Sequence, residues 1–224
     1  MNKSLDMPRI EIIMDKQSVL LALEQRTSTN YFDGSKSISD EEIKQLVYYA
    51  SQAPSSSNLQ HWRFLALTDA KQKNLLRSHA FNQKKISDAS VAFLVLADLR
   101  AIEEHPRLTD ENVRMGVFDE GMRETWIQLA EGYRDKPQIN RDEAFRSGAL
   151  ASMNLITAAQ ASGYASCAMA GFDEAAIRQS FKIPERYLIT LILVVGYPAP
   201  GNWIKKFRKP VGEILCFNRS NLPA

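Results

Sequence analysis

The hydrophobic pattern alternates between two periods along the chain. Residues 91–97 are an unbroken apolar run, and 187–196 is nearly so. Both read as central strands buried on both faces. A third strand is predicted over 62–68, where Trp62, Phe64, Leu65, Ala66 and Leu67 cluster. A short one is predicted at 164–168, and a last one at 211–217. Helical spacing appears over 15–25 (Val19, Leu20, Leu23), over 39–52 (Ile43, Leu46, Val47, Ala50), near 69–78 and over 174–181. The stretch 141–162 is apolar or small nearly all round, which predicts a buried helix. Stop and start signals agree with these limits. Ser39 and Glu42 form a capping box, and Pro54 ends the helix that follows from it. Asn140 with Glu143 reads as a helix start, Gly163 as a stop and Asp173 as a further cap.

Strands and helices intermix without a clean βαβ repeat, and no GxGxxG follows the first strand, which disfavours a dinucleotide-binding Rossmann fold. An α+β fold suits the order better: a central mixed β-sheet wrapped by helices. Residues 1–15 read as an N-terminal arm and 16–224 as a single domain. Segment 99–140 is charged, carries Pro106 and Pro137, and is helical in pattern only around 116–131. It is where an active-site cover would vary.

Composition narrows the class. With 224 residues and 45% apolar content, the chain can bury a sizeable core. No apolar run reaches membrane-spanning length, and the first residues lack a signal peptide's apolar segment, so a cytoplasmic protein with no membrane partner is expected. A net charge of +2 gives no case for nucleic acid. Cys167 and Cys216 form no CxxC pattern and read as reduced, packed thiols. His61, His79 and His105 have no metal-ligand spacing, and no metal is expected.

The chemistry-bearing stretch is the turn Ala53-Pro54-Ser55-Ser56-Ser57-Asn58-Leu59-Gln60-His61-Trp62 between a helix and a strand. Its hydroxyl and amide groups can serve a flat, polar-edged ligand, or they can simply make a Ser/Asn-rich turn. Pro-Ser-Ser-x-Asn-x-Gln-x-Trp-x-Phe resembles the signature of the nitroreductase family of flavin mononucleotide (FMN) oxidoreductases, with His61 where that family usually has proline. Four further blocks follow the family order: Arg26-Thr27-Ser28-Thr29-Asn30-Tyr31-Phe32, Phe81-Asn82-Gln83-Lys84-Lys85, Gly163-Tyr164 with Ala170-Gly171-Phe172-Asp173, and Lys206-Phe207-Arg208.

The resemblance implies a nitroreductase-like fold, an interlocked homodimer and FMN at the interface. A phosphate of nearly two negative charges needs guanidinium or ammonium groups and hydroxyls. The resemblance assigns Arg26, Thr27 and Ser28 to it, together with Lys206 and Arg208. It sets Asn30, Asn82 and Lys85 along the pyrimidine edge of the ring. The turn Met169-Ala170-Gly171 offers backbone amides to N5, with Ala170 where many relatives have glutamate. Gly171 also reads as a turn glycine suited to positive φ. Pro54, Ser55, Ser56 and Asn58 would line the ring from the partner subunit, and Ser147 would stand at the start of the buried helix. Gln60 and Trp62 read as holding the turn together.

No side chain reads as a nucleophile or obligatory general acid, so no catalytic residue is assigned and the chemistry is expected at flavin N5. The implied reaction is ping-pong hydride transfer from NADPH or NADH to small electron-poor acceptors, such as nitroaromatics and quinones. Other enzymes of the same fold, a reductive dehalogenase, a flavin-consuming oxygenase or a dehydrogenase, would need distinctive residues in 99–140. A non-catalytic FMN sensor or store would bind flavin without turning over NAD(P)H.

Overall fold

A computed structural model describes residues 16–220. The arm expected over 1–15 lies outside them. Four strands, β1 (Trp62–Leu67), β2 (Val91–Asp98), β3 (Ala165–Met169) and β4 (Tyr187–Gly196), form one sheet in the order β1-β2-β4-β3. All three pairings are antiparallel. The mixed character expected from the sequence is confined to one isolated parallel bridge, Ser28–Ser166.

The apolar runs became the two central strands, and every residue of β2 is buried. Period-two alternation splits their side chains between two cores. Ala92, Leu94, Leu96, Ile192 and Val194 pack on one face with Leu76, Ile86 and Ile177 of α3 (Ala70–Ser78), α4 (Lys85–Asp88) and α8 (Glu174–Ser180). Val91, Phe93, Val95, Leu193 and Val195 face Ile43, Leu46 and Ala50 of α2 (Asp40–Ala50) and Leu155 and Ala159 of α7 (Pro137–Ala161). A register shift at Val95/Leu96 leaves Thr190 outside the ladder, and its hydroxyl donates to the Val95 carbonyl at 2.8 Å. Gly148 of α7 passes against it: a Cβ there would stand 2.9 Å from Thr190 Cγ2, so this crossing needs glycine.

Local signals acted largely as read. Ser39 and Glu42 make a full capping box, Asp173 caps α8, and Gly163 (φ 80°) ends α7. Three expectations are corrected. Helix α7 starts at Pro137, because proline suits the first helical turn, while the Asn140 amide donates to the Tyr133 carbonyl at 2.8 Å and caps nothing. Segment 99–140 is mostly helical, with α5 (His105–Arg114) and α6 (Glu120–Glu131) packed as a hairpin. The strand expected over 211–217 is absent: 211–214 form a single turn, α9 (Val211–Ile214), and the segment is no part of the sheet.

Candidate functional site

Four chain segments converge beside β3. Helix α1 (Lys16–Gln25) ends at Arg26, whose N–H still donates to the Ala22 carbonyl. The next residues run along β3, through the Ser28–Ser166 bridge and a 3.0 Å bond from Thr29 N–H to the Ser166 carbonyl. Asn202 fixes the following turn. Its Oδ1 accepts from the N–H groups of Asn30 (2.7 Å) and Tyr31 (3.0 Å), and its amide donates to the Tyr31 and Ala199 carbonyls. That link draws residues 203–208 back over the 26–30 segment.

Thr27, Ser28, Lys206 and Arg208 therefore line one depression, with Trp203 beside them. Its cations lack carboxylate partners among the described residues. Arg208 donates only to the main-chain carbonyls of Lys206 and Phe207, both at 3.1 Å, and Lys206 lies over the Trp203 ring. The Arg26 guanidinium has no described partner. Lys205 is different: its ammonium binds the Leu23 and Glu24 carbonyls, where a cation complements the C-terminal end of α1. Unpaired cations beside hydroxyls make a receptor for a dianion.

Next to it, Lys85 Nζ donates to Asn30 Oδ1 at 3.1 Å. The loop before Lys85 holds Phe81 and Asn82 in the left-handed region (φ 51° and 56°), tied down by Arg77, whose carbonyl accepts from Asn82 N–H. Gln83 donates to the Gly171 carbonyl at 3.1 Å, joining this loop to the turn after β3. In that turn the Met169 side chain is buried, whereas Ala170 and Gly171 are exposed with no hydrogen bond from their N–H groups among the described residues. Gly171 is not at positive φ, which corrects that part of the expectation. Its lack of a Cβ instead leaves room beneath the Phe81 ring, 3.5 Å from where the Cβ would be.

The remaining site residues lie elsewhere. Pro54 is exposed at the end of α2, and Ser56–Asn58 form a single 3₁₀ turn. Ser55, Ser57 and Asn58 face a separate chamber shared with His105, Thr109 and Asn112 of α5, and with Phe118 and Trp126 stacked 5.1 Å apart. Gln60 holds this loop closed, its N–H donating to Ser55 Oγ at 3.0 Å and its amide to Asn58 Oδ1 at 3.3 Å. Ser147 is 1% exposed on the inner face of α7. One chain thus brings together Arg26, Thr27, Ser28, Asn30, Asn82, Lys85, Met169, Ala170, Gly171, Lys206 and Arg208, while Ser55 and Asn58 line the separate chamber.

Sequence reasoning assigned no role to Gln83, Asn202 or Trp203. Gln83 stands inside a quoted block, and Asn202 follows Pro198, Pro200 and Gly201, a turn signal that could have marked it. Among the described residues no group of His, Cys, Asp or Glu could hold a metal ion, and no helix is long and apolar enough to cross a membrane.

An antiparallel α+β layer with a polar, cation-rich site built from loops beside its edge strand is the class of protein this geometry defines. The chain belongs to the nitroreductase family, whose model matches residues 23–197. It is 36% identical over 203 residues to the DrgA protein of Synechocystis, covering 88% of this chain and 95% of DrgA. It is 34% identical over 179 residues to YodC of Bacillus subtilis, provisionally named an NAD(P)H nitroreductase, covering 80% and 89%. A crystal structure from Exiguobacterium sibiricum, solved in complex with FMN, superposes with a TM-score of 0.83 at 26% identity, covering 92% of this chain and 98% of that one. The ydfN structure of Bacillus subtilis shares the fold at a TM-score of 0.86. The chain is an oxidoreductase of this family.

Proposed function

We propose that this oxidoreductase holds FMN between two copies of the chain and uses NADPH or NADH to reduce small electron-poor acceptors such as quinones and nitroaromatics. The observation that carries the reading is the pair of carboxylate-free cations Lys206 and Arg208, lining one depression with Thr27 and Ser28, which stand in the same chain segment as Arg26 and as Asn30, the residue that Lys85 contacts. The cations suit a phosphate monoester, and Lys85 with Asn30 suits the carbonyl-rich edge of a flavin ring. The free N–H groups of Ala170 and Gly171 would serve N5. When bound, FMN supplies hydride acceptance from NAD(P)H and delivery to the acceptor in two half-reactions on one ring face, a ping-pong scheme. The chain's part is to hold the phosphate, to stabilise negative charge on the reduced ring through Lys85, and to keep the donors of the 169–171 turn unspent.

Two features support a second copy. Ser55 and Asn58 line a chamber that shares no residue with the cation depression of the same chain. The segment after Asn202 exposes Ile204, Phe207, Val211, Ile214 and Phe217, each at least 64% accessible. Such a run of apolar side chains is covered in a stable protein, and a second copy would both cover it and complete the site with Pro54, Ser55, Ser56 and Asn58. In this reading 16–224 is one domain, 99–140 is the cover, and the compartment is the cytoplasm, which supplies NADH and NADPH.

The test is an absorption spectrum of the purified protein, followed by NADPH or NADH without oxygen. A flavin band that bleaches, then returns on adding a quinone or nitroaromatic, is the expected result. A flavin band that does not bleach would point to an FMN sensor or store. No flavin, even after incubation with FMN, would end the reading.

A further inference from the structure

After β4 the chain runs beside residues 31–33 by main-chain pairing. Asp33 N–H donates to the Tyr197 carbonyl and Ala199 N–H to the Tyr31 carbonyl, each at 2.9 Å. There the pairing stops. Pro200 has no N–H to give, and Gly201 turns the chain at positive φ (93°), which glycine takes freely. The Asn202 side chain takes over, because its carboxamide carries the same kinds of donor and acceptor as a peptide group. Oδ1 accepts from Asn30 N–H (2.7 Å) and Tyr31 N–H (3.0 Å), and Nδ2 donates to the Tyr31 and Ala199 carbonyls, both at 2.8 Å. The full hydrogen-bonding capacity of this carboxamide is spent on the one junction.

The two segments it joins are unequally supported. Residues 28–29 are fastened to β3 without Asn202, by the Ser28–Ser166 bridge and the 3.0 Å bond from Thr29 N–H to the Ser166 carbonyl. Lys85 holds the Asn30 side chain. Residues 203–209, in contrast, make no main-chain to main-chain hydrogen bond among the described residues. Yet they supply Lys206 and Arg208 to the depression that Thr27 and Ser28 also line. Lys205 gives this segment a second fastening, by one exposed ammonium on the Leu23 and Glu24 carbonyls. A cation on a loose chain must be ordered as an anion binds, which lowers affinity; a cation already in place escapes that cost.

We propose that Asn202 is a positioning residue that delivers Lys206 and Arg208 to Thr27 and Ser28, and thereby sets how strongly the protein prefers a phosphorylated flavin to the same flavin without its phosphate. The preference rests on the FMN reading above; the link does not.

The test is Asn202→Ala, with FMN and riboflavin as paired probes. They differ only by the phosphate, so a general loosening of the site lowers both affinities alike, whereas a displaced 203–208 segment lowers that for FMN. FMN affinity is expected to fall roughly tenfold and riboflavin affinity by less than about twofold, read by quenching of flavin fluorescence. Amide hydrogen exchange in flavin-free protein reads the link itself. Asn30 and Tyr31 are expected to exchange roughly tenfold faster, and Thr29, whose partner is Ser166, at its wild-type rate. An equal loss for both flavins, or an unchanged FMN affinity, would overturn the preference; wild-type exchange at Asn30 and Tyr31 would overturn the link. If Asn202→Ala does not fold, Asn202→Ser is read in its place with the same outcomes, since a single hydroxyl donor cannot replace both amide donations. A wild type that binds neither flavin would remove the FMN reading and the preference with it, while faster exchange confined to Asn30 and Tyr31 would still uphold Asn202 as the link.

Discussion

Lys85 Nζ sits 3.1 Å from Asn30 Oδ1, across 55 positions of sequence. The amide oxygen orients the ammonium without neutralising it, and no carboxylate is paired with Lys85 among the described residues. A flavin edge presented there would meet a full positive charge. Lys85→Gln is expected to lower the midpoint potential of bound flavin by about 30 mV or more, the equivalent of about 1.4 kcal/mol for two electrons. Equilibration with reference dyes measures it, and an unchanged potential would take Lys85 away from the ring.

Arg208 and Lys205 lie three residues apart, but the structure uses them differently. Lys205 binds the carbonyl end of α1, while Arg208 contacts only two carbonyls of its own segment. Arg208→Ala is expected to weaken FMN binding roughly tenfold to a hundredfold, as for loss of a charge-assisted contact to phosphate. Lys205→Ala is expected to leave affinity within about twofold, since the end of a helix tolerates the loss of one surface cation. Fluorescence titration of both variants compares them directly; equal losses would make the whole tail a nonspecific basic surface.

Ile214 and Phe217 do not line the cation depression, and they are 64% and 78% exposed. In the proposed assembly they are covered by the second copy. Ile214→Asp with Phe217→Asp is expected to yield monomers that have also lost flavin, read by light scattering together with visible absorbance. Their far-UV spectrum should stay near wild type, because this segment adds no strand to the sheet. Monomers that keep flavin would mean one copy suffices for the site.

The legible parts of this chain are those whose information is local. A capping box, an unbroken apolar run and a glycine stop specify α2, β2 and the end of α7 from neighbouring residues. Periodicity failed where long-range packing decides. The α5–α6 hairpin is charged outside and buries few side chains, among them His105, Thr109 and Ala130, so its pattern is faint. The 211–217 segment has the apolar content of a strand but pairs with no strand of the sheet and leaves Val211, Ile214 and Phe217 exposed. The antiparallel register is likewise set by partners distant in sequence, as is the bidentate ion pair of Arg186 with the fully buried Asp98. The cation side of the site was readable as motif blocks. Asn202, which aligns two of those blocks, carries no motif of its own, and the left-handed backbone of Ser57 (φ 48°) exists only in three dimensions.

His61 gives the chain an acid sensitivity. It is 3% exposed, with an unpartnered Nδ1. Burial pushes its imidazole down to about 4; the attraction of Asp98 offsets this in part, and Arg63 adds to it. The unfolded chain takes up this proton near the ordinary histidine value of about 6.5, whereas the folded chain refuses it until about pH 4. Stability is therefore full above about pH 6.5 and falls as pH drops toward 4, at up to about 1.4 kcal/mol per pH unit. Between about pH 7 and about pH 5 this site alone is expected to remove about 2 kcal/mol. His105, also pushed down by burial, adds in the same direction, so His61→Gln should flatten the slope without abolishing it. Glu42 and Asp33, held low by their hydrogen bonds to Tyr164 and Ser35, act at more acid pH and leave this window clear. Urea unfolding of wild type and His61→Gln across that range measures the difference. Identical slopes would mean that the folded protein lets His61 take up its proton as freely as the unfolded chain does, and that the ring is not sealed beneath the loop.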